Sequence, residues 1–436
     1  MSGIKFKPQD FRVRELLDPE YLRPSGKHRV YRVKKRKRTS LEAAQVLAEL
    51  VGVPAAEVGM AGLKDRQAVT LQYMSVPVRR EVHLNERDIV IEPAGFASEP
   101  LSSAHSLGNG FEITVRGISP RELSELDAHI ESVREHGVVN YFGEQRFGNL
   151  RFAQGWIALD LMQGKPERAL KSLICGVSEQ DDEIHARFKH AFARTWGEWR
   201  ECRDIAGKFG SFHSVFEHLA RNPEDFAGAF TYVSSRLRLI HLYAWQSHLW
   251  NRTVANYVRE VTPKKDLLMV DALEGRLNFS RGALPLDPEL GNNWRLPGPR
   301  LEDVTAQRTR EMYTKALELE GLSPEQFEIE GVSGFQLKGE DRELLIRPRK
   351  LKAEPDGFDR EGQPKHRVCF ELPRGSYATM VLARLFPLRG ERPHSDSSDF
   401  GPGRPTGQRR EQRPGFSRDR RGEDRRDDRR PFRPNR

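Results

Sequence analysis

Two short stretches carry residue types that can do chemistry. The first is Ala61-Gly-Leu-Lys-Asp-Arg-Gln-Ala-Val-Thr-Leu-Gln72. Asp65 stands between Lys64 and Arg66, and flanking cations keep a carboxyl ionised. An ionised Asp serves as nucleophile or base, and cations beside it bind phosphate. Gly62 permits a close backbone approach or an unusual dihedral. Taken alone, the Lys-Asp-Arg tripeptide reads more readily as a solvated turn, because such triplets are common on surfaces. The second stretch is Asn140-Tyr-Phe-Gly-Glu-Gln-Arg-Phe-Gly148. It mixes three aromatics, two glycines and several hydrogen-bonding side chains, so an apolar ring beside Asn140 and Gln145 can stack a nucleobase while the amides read its edge. An aromatic loop filling a core edge is the plainer alternative. A third feature is the basic run Arg32, Lys34, Lys35, Arg36, Lys37 and Arg38. It can grip a nucleic-acid backbone or form a solvated charge run.

These residues need elements to hold them. Phe11–Leu17 and His28–Val33 alternate as strands do. Thr39 and Glu42 make a capping box before Leu41, Ala44, Leu47, Ala48 and Val51, which share one helical face, and Gly52 ends that helix. Val58–Leu63 and Ala68–Val76 read as strands around the polar corner that contains Asp65. Asp88–Ile91 and Phe111–Val115 are further strands, and Arg121–Glu135 is helical. The character then changes. From Trp156 to Leu337 the pattern is of long amphipathic runs, notably Tyr232–Val261, broken by the Pro/Gly stretch Leu296–Arg300. Strand patterns return at Glu343–Ile346 and Val368–Leu372. A helix follows over Ser376–Phe386, with Ser376 as the expected N-cap. A mixed core that resumes after a different middle implies an α+β protein with an inserted domain.

Composition narrows the function. The chain has 436 residues and a net charge of +9. From Arg389 onward there are 15 Arg and 9 acidic residues, so most of the excess charge lies in the tail. That segment has too few apolar residues to offset its ordering entropy and is expected to be disordered. It reads as an RNA-attracting arm or as a solubilising tail. Mean hydropathy is −0.68, and no apolar run approaches the roughly 18 residues a membrane helix needs. No secretory signal is visible, and three scattered cysteines form neither a zinc pattern nor a disulfide framework, so a reducing cytoplasm is expected. Phosphate-loop, dinucleotide, zincin and hydrolase-elbow motifs are all missing. So is the His-x-Glu…Pro-Cys-x-x-Cys pattern of zinc deaminases. Carboxylates, cations and aromatics remain.

Together the two stretches resemble the TruD family of tRNA pseudouridine synthases, the first its catalytic motif and the second its other signature. Ile4-Lys-Phe-Lys-Pro-Gln-Asp-Phe-Arg-Val-Arg-Glu15, Tyr243-Ala-Trp-Gln-Ser-His-Leu-Trp-Asn251 and Leu372-Pro-Arg-Gly-Ser-Tyr-Ala-Thr379 resemble further family segments, in the family's order. The resemblance implies a pseudouridine-synthase fold of class α+β, with a mixed, largely antiparallel sheet and flanking helices. It implies a catalytic domain at 1–155 and 338–388, an inserted TRUD-type α/β domain at 156–337, and an RNA-holding cleft between them. The tail, 389–436, lies outside the match.

By the same resemblance Asp65 is the catalytic aspartate, Lys5 a basic residue near it, and Phe142 the ring that stacks the target base. Asn140 is a neighbouring polar residue, and Phe11 and Glu15 line the pocket. The implied substrate-binding set is Lys5, Phe11, Glu15, Lys64, Arg66, Asn140, Phe142, Gln145 and Arg146. One departure is visible: an Arg is expected near Ala383, and the basic residue is Arg384. The implied function is isomerisation of uridine to pseudouridine in tRNA, at uridine 13 of the D-arm, by a monomeric cytoplasmic enzyme that needs no cofactor and no metal. The alternative is a catalytically silent RNA-binding protein or tRNA-folding chaperone on the same scaffold. The intact Asp65 and Lys5 weigh against it.

Overall fold

The computed structural model describes residues 7–77, 80–178, 181–298, 301, 304, 306–327, 329, 332 and 339–387. Lys5, expected near the catalytic aspartate, and the tail, expected to be disordered, lie outside the described residues. Alternation of apolar and polar residues builds the first strands, β1 (Phe11–Leu17) and β2 (His28–Arg36). They are followed by helix α1 (Ser40–Val51), then β3 (Gly59–Met60), β4 (Val69–Val76), β5 (Leu84–Asn85), β6 (Ile89–Ala97) and β7 (Ser106–Val115). Helix α2 (Pro120–His136) and the short β8 (Val138–Val139) come next.

The middle is helical: α3 (Gly148–Arg151), α4 (Ile157–Met162), α5 (Pro166–Cys175), α6 (Glu183–Arg194), α7 (Trp199–Phe209), α8 (His213–Arg221), α9 (Phe226–Ala229) and α10 (Ser235–Val261). A hairpin of β9 (Leu267–Ala272) and β10 (Gly275–Ser280) leads to β11 (Asn293–Arg295) and α11 (Gln307–Glu318). The chain returns through β12 (Asp341–Glu343), β13 (Leu345–Ile346), β14 (Arg349–Phe358), β15 (Pro364–Leu372) and α12 (Ala378–Leu385).

The main sheet runs β14-β15-β7-β1-β4-β2-β6-β5, with β3 beside β4. Among the described strands of this sheet only β1–β4 is parallel, through Val13↔Thr70, and every other pairing is antiparallel. The sheet is therefore mixed and largely antiparallel. Register decides which side chains face the helices, because successive residues point to opposite faces. Val13, Thr70 and Lys35 are paired neighbours and share one face. On that face α1 packs Ala44, Leu47 and Ala48 against Val33, Met74 and Ile91. Further along, α2 and α12 bury Leu126, Ile130, Val133 and Leu382 with Phe11, Ile113, Val368 and Phe370. Arg12, Lys34 and Leu71 lie on the opposite face.

The expected caps divide. Thr39 and Glu42 form the full capping box of α1, and Gly52 closes it at φ 81°. Helix α2 has the same device in Ser119 and Glu122. Ser376 is not an N-cap: α12 starts a residue later, from Tyr377, and has no side-chain cap. Only Gly59–Met60 of the expected Val58–Leu63 strand pairs.

Helix α10 joins two cores. Its 27 residues span about 40 Å. Leu242, Trp245 and Leu249 pack with α4, α5, α8 and α11. Ala244, Trp250, Val254 and Tyr257 pack with the sheet, the β9–β10 hairpin and Trp294. Arg384 is buried at 2% exposure and donates to the carbonyls of Ser280 (2.9 Å) and Arg281 (2.9 Å) and to Ser132 Oγ (2.7 Å). It ties α12 to α2 and to the end of β10. No helix among the described residues is long and apolar enough to cross a membrane.

Candidate active site

Asp65 sits in the loop between β3 and β4, on the helix-covered face. Three side chains hold that loop. Ser40, the first residue of α1, accepts the Lys64 amide through Oγ (2.8 Å) and donates to Gln72 Oε1 (2.8 Å). Lys64 Nζ pairs with Glu15 Oε1 at 2.7 Å, and the other Glu15 oxygen accepts the Tyr73 amide at 2.9 Å. Lys35 Nζ donates to the carbonyls of Arg38 (2.8 Å), Lys64 (3.1 Å) and Asp65 (3.0 Å). Arg66 is exposed and donates to the Lys37 carbonyl (3.2 Å).

The flanking cations therefore act differently from the simple expectation. Lys64 is spent on buried Glu15, and the inward ammonium beneath Asp65 is that of Lys35. The basic run does not form one face, since β2 alternates. Arg32 and Arg36 pair with Glu92 (2.6 Å) and Asp88 (3.1 Å), whereas Lys35 turns into the core. Gly62 has neither a crowded Cβ position nor a positive φ, so no steric demand for glycine arises there.

The second stretch meets the first directly. Gln145 donates its side-chain amide to Asp65 Oδ1. Behind it, Phe142 is buried and held by its backbone: its N–H donates to Asn251 Oδ1 (2.8 Å), and its carbonyl accepts Asn251 Nδ2 (2.9 Å). The Arg342 guanidinium lies 3.9 Å from the Phe142 ring centroid, and Tyr377 meets that ring edge-on at 6.0 Å. Arg146 lies 5.4 Å from the same ring and donates to Ser247 Oγ (3.0 Å). Gly143 is needed where it stands, since a Cβ there would lie 2.8 Å from both Tyr377 Cδ1 and Thr379 Oγ1.

Asn140 is buried and committed. Its Nδ2 donates to the Glu343 carbonyl (3.0 Å), its Oδ1 accepts Arg342 (2.9 Å), and its carbonyl accepts Arg342 and Trp250 Nε1. Phe11 packs edge-on to Phe111 at 6.2 Å, under the sheet end of the site. The fold thus brings Asp65, Lys64, Glu15, Gln145, Phe142, Arg146 and Asn140 into one connected region, with Arg66 at its rim. Lys35, Asn251, Glu274, Arg342 and Tyr377 also build it and are absent from the expected set. The segments 243–251 and 372–379 were a visible signal for Asn251 and Tyr377. A cavity of about 900 Å³ lies on the opposite face of the sheet, lined by Arg12, Lys34, Lys350, Lys352 and Glu371, and does not contain Asp65.

Glu274, in the β9–β10 turn, accepts Asn251 Nδ2 at 2.7 Å, and its Oε2 is buried without a partner. Burial raises its carboxyl to about 7, with Glu144 adding to the rise. A carboxyl raised above its unfolded value favours folding as the neutral acid. That contribution is complete below about pH 4.5 and is lost as pH rises through 7. Glu274→Gln should therefore be more stable than wild type at pH 8, by about 3 kcal/mol, and the two should converge toward pH 5. Paired urea titrations at the two pH values check this, and a difference that does not change with pH would contradict it.

The family model for tRNA pseudouridine synthase D (TruD) matches residues 2–278 and 294–385. The chain belongs to the TruD family. The family is one of pseudouridine synthases, which are isomerases. A Methanococcus maripaludis relative assigned to tRNA pseudouridine synthase D 1 is 29% identical over 87% of this chain and 98% of its own length. The Aquifex aeolicus tRNA pseudouridine synthase D is 28% identical, over 88% of this chain and 97% of that one. Among solved structures, a Methanosarcina mazei chain assigned to TruD superposes with a TM-score of 0.66 at 25% identity, covering 88% of this chain and 93% of that one. The TruD matches thus span both the Asp65 loop and the returning 339–385 segment.

Proposed function

We propose that this enzyme isomerises uridine to pseudouridine in tRNA, with uridine 13 of the D-arm as its target and Asp65 as the group that acts on the sugar. The observation that carries the reading is the meeting of the Asp65 loop with the Phe142 segment through Gln145. A carboxylate-bearing loop joined to an aromatic segment suits the capture of a flipped nucleotide. Asp65 either attacks C1′ as the N1–C1′ bond breaks, or removes the C2′ proton as the same bond breaks. In both routes the freed uracil turns within the pocket and C5 bonds to C1′. The C5 proton leaves and N1 gains one, so no atom is lost and no electron is exchanged. In the first route C5 displaces the carboxylate from C1′; in the second C2′ is reprotonated.

Leaving the stack costs a few kcal/mol, which stacking on Phe142 offsets in part, while Arg146 and Arg66 meet flanking phosphates. Residues 1–155 and 338–388 form the catalytic domain, 156–337 is an insertion, and RNA lies between them. The enzyme works as a monomer in the cytoplasm.

The test is site-resolved pseudouridine mapping of unmodified tRNA transcripts incubated with the protein, with and without excess chelator. Pseudouridine at position 13 in both samples is the expected result. Tight tRNA binding with no pseudouridine in any transcript would favour the silent binding protein, and cleavage that chelator stops would favour a metal nuclease.

A further inference from the structure

Lys35 is 1% exposed, and its ammonium spends all three N–H groups on backbone carbonyls. One acceptor, Arg38, is at the corner between β2 and α1. The other two, Lys64 and Asp65, are in the loop that carries the carboxylate. The side chain thus fastens that loop to a central strand of the sheet. A neutral amine has two N–H groups and a lone pair, so it cannot serve three carbonyls, and the lone pair would face an oxygen.

We infer that protonated Lys35 is a positioning residue that fixes the Asp65 carboxylate for reaction, and that loss of its proton releases the Asp65 loop. The inference rests on Asp65 being the reacting group. The groups facing Lys35 set when this occurs. From its loop, Asp65 favours the ammonium and Lys64 opposes it; from the first turn of α1, Glu42 favours it. Glu15 on β1 is already paired with Lys64. Thr70 and Gln72 on β4 are uncharged, and the β6 partner is Ile89. Lys34 and Arg36 on β2 alternate to the other face. Burial dominates and pushes Lys35 down to about 8.

The sign separates this device from unfolding. Between about pH 8 and 10.5 the unfolded chain holds more protons at Lys35 than the folded one, so this group makes stability rise with pH. Activity should fall over the same range.

The experiment is single-turnover conversion of a tRNA transcript by excess enzyme from pH 6 to 9. Alongside it, hydrogen-exchange protection of the Lys64 amide, corrected for intrinsic rates, is followed in the protein alone. Wild type should lose about half its rate at pH 8 and slow about tenfold by pH 9, since small misplacements of a reacting group are costly, with no fall in Tm. Lys64 protection should drop together with the rate. Lys35→Met should be slow and weakly protected throughout, without the pH-dependent limb. A Lys35→Met rate equal to wild type, or the same limb persisting in that variant, would overturn the inference. If the variant does not fold, wild type decides, because flat Lys64 protection from pH 6 to 9 overturns it equally. If wild type makes no pseudouridine at any pH, the tRNA reading fails, and Lys64 protection still reports on the Lys35 clip.

Discussion

Asp65→Asn should abolish pseudouridine formation while leaving tRNA affinity within about tenfold, because phosphate contacts dominate binding to nucleic acid. The substitution is nearly isosteric. The Asn side-chain oxygen can still accept from Gln145, which now donates to Asp65 Oδ1. The three carbonyls held by Lys35 belong to the backbone and are untouched. What disappears is the charge. An amide neither attacks C1′ nor takes the C2′ proton, so both routes close together, and a loss of about 10⁴-fold or more is expected for removal of a nucleophile or base. Removing that charge also withdraws a group that favours the Lys35 ammonium, so the proton on Lys35 should be lost at lower pH in the variant. Single-turnover mapping and filter binding on the same transcript check the pair of expectations. A variant that turns over within tenfold of wild type would remove Asp65 from the chemistry. One that loses binding in parallel would make its role a matter of RNA docking.

How much of this was legible in sequence depends on how far apart the cooperating residues lie. The α1 capping box needs four consecutive positions and can be read directly. The matching Ser119 and Glu122 box carries the same signal. The Asp65 corner and the Phe142 stretch stand out because each concentrates unusual residue types. Their supports do not. Arg342 reaches Asn140 across 202 residues, and Asn251 reaches Phe142 across 109. Nothing local marks Arg342, and the 243–251 segment stands out without showing that its Asn251 turns toward Phe142. Lys35 was hidden differently, inside a run of cations that invites reading as one surface. The alternation of Tyr31, Val33 and Lys35 on the buried face of β2 contained the answer, and only the register Lys35↔Thr70 makes it compelling. Ser376 shows the opposite failure. A good N-cap residue type stood near the helix start, but the helix begins beyond its reach, and its hydroxyl is left buried without a partner.

Arg342 accounts for the second large effect. The residue is 9% exposed, and its guanidinium remains a cation near neutral pH, although burial lowers it to about 10. Its donors go to the Asn140 carbonyl (2.9 and 3.1 Å), Asn140 Oδ1 (2.9 Å) and the Gly375 carbonyl (3.0 Å), while its plane covers Phe142. One side chain thereby joins the Phe142 segment to the turn before α12. Arg342→Met keeps much of the apolar stem and removes every donor. Asn140 Oδ1, on a buried residue, and the Gly375 carbonyl then lose the charged partner seen here, while the Asn140 carbonyl keeps Trp250 Nε1. The cost should be about 3 kcal/mol, since an orphaned buried acceptor costs roughly 1–3 kcal/mol and donors lost from a charged group weigh more. Arg342→Lys should recover little, because a single ammonium cannot span acceptors that a planar fork bridges. Both variants should also slow conversion of bound tRNA, because Phe142 loses the contact that orients its ring. Urea unfolding gives the stability and single-turnover mapping the rate. Full stability in Arg342→Met would mean that these hydrogen bonds are replaced by water at no net cost. Full stability with a slow rate would confine the residue to orienting the Phe142 ring.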